Sequence, residues 1–166
     1  LFNIPIDKLD ILIHPNSLVH AIIELRNGLY EFIYHETSMI IPIANAIFEG
    51  NLDIDKFYKI RKNVIAKNIN FQKVDKKKFP LIKIKNLANK YSSTPIIINA
   101  SNEILVDQFL KEKIPFLAIP KIIMNVLKDR NYKKNAIKRL KNLDQIYEID
   151  QWARKLTISK IQKFYA

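Results

Sequence analysis

Apolar positions along this chain change their spacing, and the change divides it. In the first third they come in runs of strand length. Residues 10–14 are an apolar run closed by Pro15, which has no N–H to give a ladder, so a short buried strand is expected there. Residues 19–25 and 30–34 are two more such runs, separated by Arg26-Asn27-Gly28. Asn-Gly between apolar runs is a strong hairpin signal, so these two segments are expected to pair as antiparallel strands. Thr37 and Ser38 offer capping hydroxyls for a helix over 39–48. Pro42 falls in its first turn, where a missing N–H costs little.

Between residues 49 and 78 the pattern weakens and Asn and Lys become common. A short helix over 57–66 and a short edge strand over 69–74 are the expected elements of what reads as a connecting arm. From residue 79 the period becomes helical. Leu81, Ile84, Leu87, Ala88 and Tyr91 share one face. A second helix starts with Thr94 as N-cap and Pro95 at its first position, with Ile98, Leu105, Phe109 and Leu110 expected inward. On this helix Asn99, Asn102 and Glu103 are spaced i, i+3, i+4 among apolar neighbours, so a buried polar network is expected. Ile119-Pro120 opens a third helix carrying Ile122, Ile123, Val126 and Leu127, ended by Asp129-Arg130-Asn131. A short helical piece over 136–141 precedes a last helix carrying Leu143, Ile146, Ile149, Trp152, Ala153 and Leu156. The expected fold is α+β: a partial sheet (strand plus hairpin), a connecting arm and a four-helix bundle. The expected boundaries are 1–48, 49–78 and 79–166.

A chain of 166 residues holds one domain, or one plus part of another. Cysteine is absent, which removes disulfides and thiolate metal sites. No run of about 18 apolar residues is present, so neither a transmembrane helix nor a membrane partner is expected. The chain opens on Leu1-Phe2-Asn3, which reads as the last turn of a helix and suggests a piece of a longer protein. The net charge of +12 points toward nucleic acid at first sight. Yet 23 of the 28 cationic residues are Lys and only 5 are Arg, the side chain suited to bidentate recognition. No aromatics are interleaved on a basic strand face, so a lysine-solvated surface is expected and no nucleic-acid partner.

The candidate chemistry is concentrated early. His14 and His20 stand six apart, but Pro15 interrupts the strand that would align them, and no Cys or acidic cluster adds a third ligand. They read as hydrogen-bonded histidines at a strand end, and no metal ligand is assigned. Ser17 lacks the Gly-x-Ser-x-Gly elbow of an activated nucleophile and reads as a turn hydroxyl. Met39 by itself reads as core filler. With two glycines in all, the chain has no glycine-rich phosphate loop.

Three segments, in order, carry a resemblance: Asp-Ile-Leu-Ile-His-Pro-Asn-Ser-Leu-Val-His at 10–20, Thr-Ser-Met-Ile-Ile-Pro-Ile-Ala at 37–44 and Ile-Asn-Ala-Ser-Asn-Glu at 98–103. Together they resemble the C-terminal part of the 1-deoxy-D-xylulose 5-phosphate reductoisomerases, and the likeness runs from residue 1 to about 156. It implies an enzyme that isomerises 1-deoxy-D-xylulose 5-phosphate and reduces the product to 2-C-methyl-D-erythritol 4-phosphate, in the non-mevalonate route to isoprenoids. The implied cofactors are NADPH and a divalent cation, Mg or Mn, both bound mainly by a part preceding Leu1. The implied partners are that N-terminal part, a second copy in a homodimer and a small phosphorylated sugar. The implied location is a bacterial cytoplasm or a plastid-type organelle. Of this chain's residues, the resemblance gives His20 a supporting role behind the groups that touch substrate and metal. Met39 would lie against the nicotinamide. Thr37 and Ser38 depart from the Pro and Asp usual in the family. Residues 99–103 match the family's Asn-Ala-Ala-Asn-Glu closely and read as structural. No catalytic residue of its own is expected, and these residues alone are expected to be inactive. The alternative is a lysine-rich helical interaction or nucleic-acid-binding module without catalysis.

Overall fold

The computed structural model describes residues 4–59 and 69–165. They form two compact units, Asp10–Val74 on the one hand, and Leu1–Leu9 with Asp75–Ala166 on the other. The first carries the strands, the second most of the helix, and the class is α+β.

In the first unit, β1 (Leu12–Ile13) pairs antiparallel with β4 (Gln72–Lys73), and β2 (Val19–Glu24) pairs antiparallel with β3 (Tyr30–Tyr34). The expected hairpin is present. Gly28 N donates to Leu25 O at 3.0 Å, and Leu25 N donates to Leu29 O at 2.9 Å. Gly28 closes this three-residue loop at φ +84°, a conformation that glycine adopts without a Cβ penalty. Asn27 Oδ1 accepts from Leu29 N at 3.1 Å, tightening the turn. The strand expected over 10–14 is shorter than its apolar run and is not buried, since Ile11 and Leu12 are exposed. One partner strand of two residues covers too little of it. The edge strand of 69–74 is realised as β4. Helix α1 (Ile40–Ile47) matches the expected 39–48, and Ser38 Oγ accepts from Ile40 N at 3.3 Å at its start. The helix expected over 57–66 falls largely outside the described residues.

In the second unit, a 3₁₀ turn (Pro80–Ile84) runs into α2 (Lys85–Lys90). Then follow α3 (Thr94–Leu110), α4 (Ala118–Leu127), α5 (Tyr132–Asn135) and α6 (Leu143–Tyr165). Helices α3, α4 and α6 each pack on the other two, and α2 lies against α3. Their core is apolar: Ile97, Ala100 and Leu105 of α3, Ile122, Ile123 and Val126 of α4, Ile149 and Ala153 of α6. The four residues expected inward on the third helix, Ile122, Ile123, Val126 and Leu127, are all buried. Lys85 Nζ reaches back to Leu9 O and ties the segment before β1 to α2.

Three expectations in this unit are corrected. First, α3 is rotated. The residues it buries are Thr94, Ile97, Ala100, Ser101 and Leu105, whereas Asn99 and Glu103 are exposed and Asn102 is half-buried. Glu103 meets Asn99 and Arg154 at the surface, so the inward polar network of 99, 102 and 103 is not present. The buried Ser101 meets Thr157 of α6, one turn from the buried Ala153, and bulk at that seam would hold the helices apart. Second, Thr94 does not cap α3. Its hydroxyl pairs with the Tyr132 hydroxyl at 2.7 Å in the core. Burial raises the Tyr132 pKa, and the Thr94 bond partly offsets this. Third, the short helix lies at Tyr132–Asn135, not over 136–141. There the main chain is taken up by Ser93: Ile137 N donates to Ser93 Oγ at 2.8 Å, and Ser93 N donates to Ile137 O at 3.3 Å. Backbone groups spent on this bridge are not free for helical bonds.

Buried hydroxyls join α3 to α6. Thr157 Oγ1 lies 2.7 Å from Ala153 O and 2.9 Å from Ser101 Oγ. A carbonyl only accepts, so the Thr157 proton goes to Ala153 O, and Ser101 donates to Thr157. The two ends are therefore unequal. Thr157→Val strands the Ser101 hydroxyl and is expected to cost about 1–3 kcal/mol. Ser101→Ala leaves Thr157 bonded and should cost only about 0.5–1.5 kcal/mol. Urea unfolding of both variants checks the order, and a reversed order would mean the proton runs the other way.

Candidate functional site

The polar residues singled out in the sequence gather in the strand unit. After β1 the chain turns through His14-Pro15-Asn16-Ser17, with Ser17 N donating to His14 O at 3.0 Å. Pro15 fixes its own φ for the turn, and Ser17 then takes φ +52°, a left-handed conformation uncommon for a residue with a side chain. Ser17 is exposed, as a turn residue would be. His14 Nδ1 donates to Asn70 O at 3.0 Å, next to β4, and the Phe71 ring stands 5.3 Å away. That bond leaves the Nε2 lone pair of a neutral His14 buried, with no partner among the described residues.

His20 sits at an irregularity of the hairpin. Val19 faces Tyr34 and Ala21 faces Ile33, so two steps on β2 match one step on β3 and His20 is the extra residue of a β-bulge. Its ring stacks on that of His35, centroids 3.8 Å apart and planes within 11°. His20 Nε2 donates to His35 O at 3.3 Å, and His35 Nδ1 donates to Glu36 O at 2.5 Å. His35 N donates in turn to Leu18 O at 3.0 Å, which extends the ladder past the bulge. Sequence spacing gives His35 no role. It comes beside His20 only through the pairing of β2 with β3 and the added residue in β2. An imidazole just past a strand that pairs with a His-bearing strand is the one signal that could have found it.

Met39 stands at the N-cap of α1 with two-thirds of its surface open (67%), and Thr37 is exposed beside it. It is not core filler. An open thioether on a helix start is suited to lie against an aromatic ring of a ligand. Asn99 and Glu103 belong to the helical unit instead. Asn99 Nδ2 donates to Glu103 Oε1 at 2.9 Å, and Arg154 bridges Glu103 Oε2 at 2.5 Å and Asp150 Oδ2 at 2.7 Å. The Arg154 and Asn99 bonds hold the Glu103 carboxyl below its ordinary value, and the two carboxylates raise Arg154. These groups tie α3 to α6. Elsewhere in the unit, Lys160 pairs with Asp129 at 2.9 Å and lowers the Asp129 pKa.

Among the described residues, no three His, Asp or Glu side chains gather to hold a metal ion. Nor is any helix among them long and apolar enough to cross a membrane.

A sequence model described as the DXP reductoisomerase C-terminal domain matches residues 35–156. Over 92% of its length the chain is 36% identical to the 1-deoxy-D-xylulose 5-phosphate reductoisomerase of Pelagibacter ubique, of which it covers 39%. The corresponding protein of a Prochlorococcus marinus strain is 34% identical over 98% of the chain, again with 39% of its own length covered. Among solved structures, DOX-P reductoisomerase in complex with magnesium superposes with a TM-score of 0.78 at 27% identity, over 93% of this chain and 40% of that one. The Zymomonas mobilis reductoisomerase in complex with NADPH gives a TM-score of 0.72 at 26% identity, over 96% of this chain and 41% of the other. The chain thus spans about two fifths of the length of the relatives it matches. With the match extending over well more than half of its residues, the chain belongs to the DXP reductoisomerase C-terminal domain family.

Proposed function

We propose that this chain is the C-terminal portion of an enzyme that converts 1-deoxy-D-xylulose 5-phosphate to 2-C-methyl-D-erythritol 4-phosphate by isomerisation and NADPH-dependent reduction, in non-mevalonate isoprenoid biosynthesis. The observation that carries this reading is the family match over residues 35–156. The fold likeness to reductoisomerases solved with magnesium and with NADPH supports it. The whole protein would be a homodimeric oxidoreductase of a bacterial cytoplasm or a plastid-type organelle. NADPH would supply the hydride; the Mg or Mn ion and the phosphate would be held mainly by the rest of the protein. In this reading residues 1–48 complete the catalytic domain, 49–78 are a connecting arm, and 79–166 form the C-terminal bundle. The exposed Phe32, Ile33, Ile43 and Ile47 of β3 and α1 fit a larger body that covers them.

Within that reading His20 is a positioning residue and Met39 an apolar contact for the nicotinamide. The rival, a lysine-rich interaction or nucleic-acid module, finds no support in relatives that are themselves reductoisomerases. The direct test is NADPH oxidation by the whole protein with 1-deoxy-D-xylulose 5-phosphate and Mg²⁺ or Mn²⁺. No substrate-dependent oxidation with either ion would overturn the reading.

The 166 residues by themselves are expected not to bind NADPH. The only two glycines, Gly28 and Gly50, sit in separate turns rather than in a phosphate-cradling loop. Titration of NADPH into a sample whose helicity has been checked by circular dichroism, followed by calorimetry, tests this. Saturable binding in the micromolar range would refute it.

A further inference from the structure

We propose that His35 is a positioning residue for the reductoisomerase reaction: stacked on His20 across the β2–β3 bulge, it fixes the ring plane and the Nε2–H tautomer of His20. The inference rests on the reading, given above, that His20 serves the active site.

Three features converge on one orientation of one ring. The bulge places an extra residue in β2, and that residue is His20, the only one of β2 with an ionisable imidazole. Bulges bend a strand and re-aim a side chain, and an unpaired residue needs other contacts to hold a single rotamer. His35 supplies two of them. Its ring covers the face of His20 at 3.8 Å, nearly parallel. Its carbonyl lies 3.3 Å from His20 Nε2.

The carbonyl decides the tautomer. It can only accept, so His20 must carry its proton on Nε2. Nδ1 then keeps its lone pair and is the nitrogen left to take a hydrogen bond or a proton from whatever it faces. His35 is itself anchored on both sides. Its N–H is bonded to Leu18 O at 3.0 Å, and its own Nδ1 donates to Glu36 O at 2.5 Å. A ring held in this way is a fixed platform, not a mobile neighbour. Without the ring, the exposed His20 is free to rotate away from the carbonyl, its two tautomers become similar in energy, and a group that orients a pocket loses its single orientation.

The test is made on the whole protein that carries this sequence, labelled with ¹⁵N-histidine, with His20 assigned from the spectrum of His20→Gln. At a pH of about 8, above the usual imidazole pKa, the two-bond proton–nitrogen pattern reports the tautomer directly. His20 is expected as Nε2–H in the wild type. In His35→Ala its two nitrogens are expected to move toward a common averaged value. Both variants keep the backbone carbonyl, but only His35→Phe keeps a flat ring to hold His20 against it, and it should restore the wild-type pattern. Turnover should follow: kcat lower by about 10-fold in His35→Ala with KM for the sugar phosphate unchanged, and recovered in His35→Phe. A His35→Ala spectrum with the wild-type His20 pattern would overturn the proposal. So would a wild-type His20 that is already averaged or Nδ1–H, a result that needs no variant to fold. Full turnover in His20→Ala would instead overturn the role given to His20, and the tautomer pattern would still decide whether His35 sets its ring.

Discussion

Leu105→Ala is expected to cost the helical unit on the order of 2–5 kcal/mol, and Leu110→Ala less than about 0.5 kcal/mol. The two residues lie on the same helix, five positions apart, and the periodicity of the sequence places both inward. The structure separates them. Leu105 is fully buried where α3 packs into the core, whereas Leu110 is 73% exposed at the helix end. Truncating Leu105 removes its transfer free energy and leaves a void that the close-packed core does not readily fill. Truncating Leu110 removes atoms that already face water. Urea unfolding of the two variants, followed by circular dichroism, reads the difference. Equal losses would mean that α3 is turned away from the orientation described, and the seam of small residues facing α6 would fall with it.

If the proposed role of His20 holds, His20→Ala lowers turnover of the proposed reaction by the whole protein by about 10- to 100-fold, the usual range when a group that orients a pocket's residues is lost. The melting temperature should scarcely change, because His20 is exposed and removing it opens no cavity. The division between rate and stability is what gives the experiment its force. A residue serving only to pack the hairpin would show the opposite pattern, a lower melting point at an unchanged rate. That outcome would reduce His20 and its stack with His35 to a feature of hairpin stability.

The sequence by itself determined the elements governed by local rules. Asn27-Gly28 set the hairpin because glycine reaches the left-handed φ that the loop requires. Pro15 stopped β1, and Asp129 closed α4 by accepting from Asn131 N. The stripe of Ile122, Ile123, Val126 and Leu127 named the buried face of α4, with the polar Lys121 and Asn125 lying off it. The three ordered segments that carry the family resemblance also belong here, since they depend on residue identity and spacing alone.

Only the tertiary structure decided the rotation of α3. Ile96, Ile97 and Ile98 are consecutive, so apolar character surrounds the helix start and periodicity does not choose a face. The choice came from α6, far along the sequence, whose Thr157 bonds the buried Ser101 while its Arg154 pairs with Glu103, itself bonded to Asn99, at the surface. The same holds for the short helix before α6, which moved to 132–135 because Ser93 claims the backbone of Ile137. It holds as well for His35. One added residue in β2 shifts the register, and that shift sets an imidazole with no role in the sequence pattern against His20. Local rules fix what each segment forms, but which side chains meet depends on packing and register between segments far apart in the chain.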